Sequence, residues 1–127
     1  MIHKEMTRKE FEKRVREAID RLPTEFQSAM RNIAIIVEDR PGPEAEGVLD
    51  EDSEELLYGL YVGVPLPGRT SDDSGTLPDR IYLYRQPLEE DFPDREELLR
   101  EIEITLVHEI GHFLGFDEET LSQYGYN

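Results

Sequence analysis

The stretch His108-Glu109-Ile110-Gly111-His112 constrains this chain more than any other, because two histidines four residues apart act together only if the segment is helical. On an α-helix, residues four apart project about 40° from one another, so both imidazoles can reach one metal ion. Glu109 projects about 100° from His108, beside such an ion and not onto it, where it can take a proton from metal-bound water. The surroundings predict the helix. Asp94-Arg95-Glu96-Glu97 reads as an Asp cap with Glu in the first turn, and Gly115 is a standard stop. Leu98, Leu99, Ile102, Leu106, Ile110 and Phe113 share one broad face, with His108 and His112 roughly opposite, so the two histidines are not core residues. The only other histidine, His3, lies at the terminus and is given no role.

Catalytic zinc is typically held by three protein ligands plus water, so a third donor is required. The chain has no cysteine, which leaves only nitrogen and oxygen donors. Eight residues follow Glu119, too few to bring a glutamate from a distant second helix. Gly115 stands three residues after His112, where the metzincin pattern reverses the chain, and the ligand position three further on is Glu118. Metzincins place a histidine there, but two histidines and a carboxylate form an ordinary zinc set. Asp117 is better suited to capping a last short helix over EETLSQYG, and Glu119 is a third candidate. No methionine follows the motif, so a methionine turn beneath the metal cannot form; Tyr124 and Tyr126 are the candidates for that space.

Composition narrows the partners. With 30 Asp plus Glu against 14 Lys plus Arg, the formal charge is −16, which disfavours nucleic acid and with it an RNA-processing role. No apolar run is long enough to cross a bilayer, and the basic N-terminus has no apolar segment behind it, so no membrane partner and a cytoplasmic location are expected. At 127 residues one domain spanning 1–127 is expected, and the oligomeric state is open, a dimer included.

Further elements can be read along the chain. Thr7 with Glu10 forms a capping box ahead of Phe11, Val15, Ala18, Ile19 and Leu22 at helical spacing, closed by Pro23. A second box from Thr24 to Gln27 predicts a short helix to about Met30. The branched run Asn32 to Asp39 then predicts a strand, placed at the centre of the sheet. Arg40 to Glu55 reads as an exposed acidic loop without chemistry. Leu56 to Leu66 and Ile81 to Arg85 read as two more strands, with Tyr82 and Tyr84 on a half-exposed packed surface.

With these residues in view, the chain resembles the small bacterial zincin-like metallopeptidase family. The likeness rests on HEIGHFLGFDEE and, in order before it, on RLPTEF, NIAIIVED, YGLYVGVPL and LPDRIYLYRQP. The family usually has Asp where Glu118 stands, a departure that bears on the third ligand. The resemblance implies an α+β fold, a small mixed sheet of about three strands packed on an N-terminal helix and a long C-terminal metal helix. It also implies peptidase chemistry on a peptide or protein substrate. The residues then expected in the site are His108, His112 and Glu118 for one Zn2+ per chain, with Glu109 as general base. The Ile81–Arg85 strand is expected to be the edge along which substrate lies. The rival expectation is a binding or regulatory domain that keeps the shape with a weak metal site.

Overall fold

The computed structural model describes residues 6–45, 58–63 and 79–125. Within these, the first helix, α1 (Arg8–Asp20), starts where the sequence places it, with the Thr7 hydroxyl accepting from the Glu10 N–H at 3.1 Å. α2 (Thr24–Ala29) begins one residue earlier than the second box implies, with Pro23 at the cap position and no side-chain cap bond. The Gln27 amide instead donates to the carbonyls of Ile19, Asp20 and Leu22, so the polar residue of that box closes the end of α1. A 3-10 turn over Met30–Asn32 leads into β1 (Ile33–Glu38).

β2 (Gly59–Val62) and β3 (Asp79–Tyr84) complete a three-stranded sheet in the order β1-β3-β2. β1 runs parallel to β3, with Ile35 opposite Ile81, and β2 runs antiparallel to it, with Tyr61 opposite Ile81. Two expectations are corrected here. The Ile33–Glu38 strand lies at an edge, and the strand containing Ile81–Tyr84 lies at the centre. The physical reason is visible in burial: Ile81, Leu83 and Tyr84 are fully buried, whereas β1 alternates with the exposed Ala34 and half-buried Ile35 and Ile36. The strand read over Leu56–Leu66 is observed only as Gly59–Val62, and most of its remainder lies outside the described residues, as does the Asp50-Glu51-Asp52 part of the acidic loop.

α3 (Arg85–Asp91) follows β3 directly and has no signal in the sequence, since its Arg85-Gln86-Pro87 start reads as a strand end. α4 (Arg95–Leu114) is the long helix, and α5 (Glu118–Gln123) the short last one. The molecule is thus an α+β fold with a mixed sheet covered by helices on one face. Phe11, Val15 and Ala18 of α1, Phe26 of α2, and Leu98, Ile102, Leu106 and Ile110 of α4 pack with Ile33, Val37, Ile81 and Leu83 in one core. Fully burying side chains of this kind contributes about 1.5–3 kcal/mol each. The opposite face carries Tyr82 and Tyr84, which are buried, not half-exposed. They stack at 6.5 Å and pack with Leu60 beneath Ala45 of a short 3-10 turn (Pro43–Ala45). The Tyr84 hydroxyl donates to Glu44, and burial pushes that hydroxyl far above its ordinary pKa. Among the described residues no helix is long and apolar enough to cross a membrane.

One ionic staple holds the N-terminal segment to this frame. The buried Arg85 guanidinium donates to Asp39 at 3.0 Å, to Glu89 at 2.9 Å and to the Met6 carbonyl at 2.8 Å. Arg85→Met removes the guanidinium that pairs with the buried Glu89 and with Asp39, and is expected to cost about 3 kcal/mol in urea unfolding.

β2 reaches α4 more closely than a strand with side chains could. A Cβ on Gly59 would sit 2.6 Å from Thr105 Cγ2 and 3.0 Å from the Tyr82 carbonyl oxygen. Gly59→Ala is therefore expected to destabilise by about 2 kcal/mol. Adding Thr105→Ser removes the clashing methyl and should recover part of that loss in the double variant, whereas independent sites would give additive losses.

Candidate metal-binding active site

α4 ends in a reversal that only glycine adopts readily. Gly115 has φ 78°, and the Phe116 N–H donates to the Gly111 carbonyl at 2.8 Å while the Gly115 N–H reaches His112. These two bonds satisfy carbonyls that the helix end would otherwise leave open. The chain then turns back, Asp117 caps α5 by accepting from the Thr120 N–H at 2.8 Å, and Leu121 returns to the core against Gly111. A Cβ on Gly111 would meet Leu121 Cδ2 at 2.9 Å, so the Leu121 side chain seats directly on α4 at this glycine.

The reversal forms a cleft of about 420 Å³ lined by α4, β2 and the start of α5. His108, Glu109 and His112 form part of its wall, with Thr105 one turn further back, and Glu118 contributes from α5. The sequence expectation for α4 holds: its apolar face is buried and the histidines lie away from it. The His112 side chain is 55% exposed, whereas that of Glu109 is only 13% exposed. That difference suits a ligand facing the opening and a base sheltered behind it.

Glu109 is held by two contacts. Its carboxylate accepts from the Tyr61 main-chain N–H at 2.8 Å, and lies 3.5 Å from His112 Nδ1. The hydrogen bond that the His112 imidazole donates to the Glu109 carboxylate raises the His112 pKa, burial opposes it, and the charges of Glu109 and Glu118 add to the rise. Sequence reasoning missed Tyr61, and no side-chain signal could have revealed it, because the donor is backbone. Tyr58, at the other end of the cleft, was also missed. Its hydroxyl donates to Asp91, and burial, with that bond, pushes its pKa up to about 12.

The three carboxylates considered as the third donor are sorted by their positions. Asp117 is spent as a cap, and its pKa is lowered by the bond to Thr120. Glu119 is exposed and is not part of the cleft wall. Glu118 lines the cleft with both histidines. Among the described residues, however, no three His, Asp or Glu side chains converge as a finished metal cage. Two imidazoles and one carboxylate around one cleft fit zinc in donor chemistry, with Glu118 still to be drawn in. Tyr124 packs edge-on against Phe26 at 5.0 Å and stacks on Phe116 at 6.2 Å. Tyr126 lies outside the described residues.

Among the described residues, the helix carrying His108, Glu109 and His112 runs beside the outer strand β2 and ends in an acidic return turn. The family model for zincin-like metallopeptidases matches residues 30–126, and the chain belongs to that family. No curated protein matches it. Among solved structures, it is similar to a conserved hypothetical protein from Thermus thermophilus, at 24% identity and a TM-score of 0.52, over 93% of this chain and 99% of that one. That likeness supports the fold.

The division of labour at the turn is testable. Asp117→Ala should cost about 1 kcal/mol through the lost cap and leave zinc affinity nearly unchanged. Glu118→Ala should leave stability nearly unchanged and weaken zinc binding at least about tenfold by calorimetric titration.

Proposed function

We propose that the protein is a zinc-dependent peptidase or amidase holding one zinc ion through His108, His112 and Glu118, with Glu109 as general base. The observation that carries this reading is the placement of Glu109, sheltered between the two histidine positions and fixed from behind by the Tyr61 N–H. Bound zinc in such a donor set supplies a water acidified to a pKa of about 7 and a polarised scissile carbonyl. Glu109 accepts the proton of the attacking water and delivers it to the leaving nitrogen. The Tyr61 N–H keeps the carboxylate aimed along the cleft throughout, so orientation is supplied before substrate arrives. Substrate lies extended beside β2, the strand that borders the cleft, and not beside the central Ile81–Tyr84 strand.

A second reading follows from one observation, the absence of a converged three-ligand set among the described residues. It makes the protein a binding or regulatory domain of zincin shape with a poorly filled metal position. Elemental analysis separates the two: protein purified without chelator should hold about one zinc per chain. A site that stays empty after zinc is supplied supports the binding domain. On the hydrolase reading, Glu109→Gln should retain zinc and lose activity by at least about a hundredfold, measured as peptide cleavage across a broad peptide library. Full activity in that variant removes Glu109 from its role.

A further inference from the structure

The proposed site explains one end of the cleft, and the other end carries a group it does not use. Glu101, Thr105, His108 and His112 all line the cleft, and on a helix these positions fall within about 60° of arc. They form one floor along α4. With a rise of 1.5 Å per residue, Glu101 stands about 10 Å along the axis from His108. That is the span of about three residues of extended chain.

β2 runs beside this floor in the same direction, with Gly59 against Thr105 and Tyr61 against Glu109. The Tyr84 N–H donates to the Tyr58 carbonyl at 2.9 Å, so by the alternation of an antiparallel ladder the main-chain groups of Gly59 and Tyr61 face away from β3. An extended chain following this edge from Glu109 arrives at Glu101.

Glu101 is prepared for a partner that the described residues do not provide. Its carboxylate makes no hydrogen bond or ion pair with any of them; only its main-chain carbonyl is engaged, by the Thr105 hydroxyl at 2.8 Å. The neighbouring Arg100 is turned elsewhere, to Glu103 at 3.4 Å and to the Gly125 carbonyl at 3.3 Å. Among the described residues that line the cleft there is no lysine or arginine. Burial first, then repulsion by Glu97, holds the Glu101 carboxyl above its ordinary pKa, against a weaker pull from the Arg100 charge. A half-buried carboxylate in this condition recovers its desolvation cost when a cation meets it.

Building on the hydrolase reading, we propose that the cleft selects substrates carrying a positive charge about three residues from the bond to be cut, and that Glu101 receives that charge. The charged group is a basic side chain or a free α-amine. Both offer N–H donors to a carboxylate, and the length of the cleft fits either. Glu101 thereby sets the register in which a peptide lies over Glu109.

The test is a binding measurement that does not require turnover. Alanine-based peptides, dye-labelled at the C-terminus, carry one lysine moved through successive positions, with glutamine counterparts and with free or acetylated N-termini. Their affinities for the Glu109→Gln protein, supplied with zinc, are read by fluorescence anisotropy. At one position, lysine should bind about tenfold tighter than glutamine, or the free terminus tighter than the acetylated one. Which pair shows the difference identifies the source of the charge. Adding Glu101→Gln, a near-isosteric change, should abolish the preference, and Glu101→Lys should reverse it. Equal affinity of charged and neutral peptides, no binding by any of them, or a preference that survives Glu101→Gln overturns the proposal. Cleavage by the unmodified protein is measured alongside. Cleavage without charge preference defeats this inference alone, and charge-selective binding without cleavage defeats the hydrolase reading alone.

Discussion

The close approach of β2 to α4 at Gly59 is the constraint on which the rest of this structure depends. Because residue 59 has no side chain, the strand settles against the Thr105 methyl, and two residues further along the Tyr61 N–H comes within hydrogen-bond distance of Glu109. A strand held off by even one methyl group would leave that carboxylate without its main-chain donor. It would also widen the cleft whose wall the strand forms. Interior packing is dense enough that such a displacement is not absorbed locally. Stability and site geometry therefore share one contact.

α4 joins the two requirements. Its Leu98, Ile102, Leu106 and Ile110 face carries the core, and its Glu101, Thr105, His108 and His112 line faces the cleft. One twenty-residue element fixes the spacing of every polar group along the cleft floor, because those groups inherit the helical rise. Side chains on a packed helix are held more exactingly than side chains on loops.

What could be read from the sequence was what depends on local chemistry. The helix bearing His108 and His112, its stop at Gly115, the Thr7 cap and the role of Asp117 all follow from residue type and spacing within a few positions. What could not be read depends on contacts distant in sequence. Nothing in Ile33–Glu38 indicates that it lies at an edge, since the order of strands is decided by which one both others can flank. Tyr82 and Tyr84 alternate as a half-exposed strand would, but Leu60 and the turn at Ala45 cover them. Gln27 looks like the closing member of a box and is recruited instead by the carbonyls ending α1. In the site, His108, Glu109 and His112 were legible, whereas the Tyr61 donor was not, because a backbone N–H has no residue signature. Glu118 was one of three acidic neighbours, and only the turn separates it from Asp117.

In the proposed zinc site, the short helix that follows the turn would lower the apparent metal affinity. α5 is six residues long, far below the length at which a helix persists alone, and it is held by Leu121 in the core and by Tyr124 against Phe26 and Phe116. Opening it therefore costs less than unfolding the molecule, and each opening carries Glu118 away from the histidines. The apparent dissociation constant for a metal is the intrinsic one divided by the fraction of molecules with this helix closed. With the ligand set proposed above, apolar contacts at Leu121 and Tyr124, remote from the ion, would set how tightly it is held.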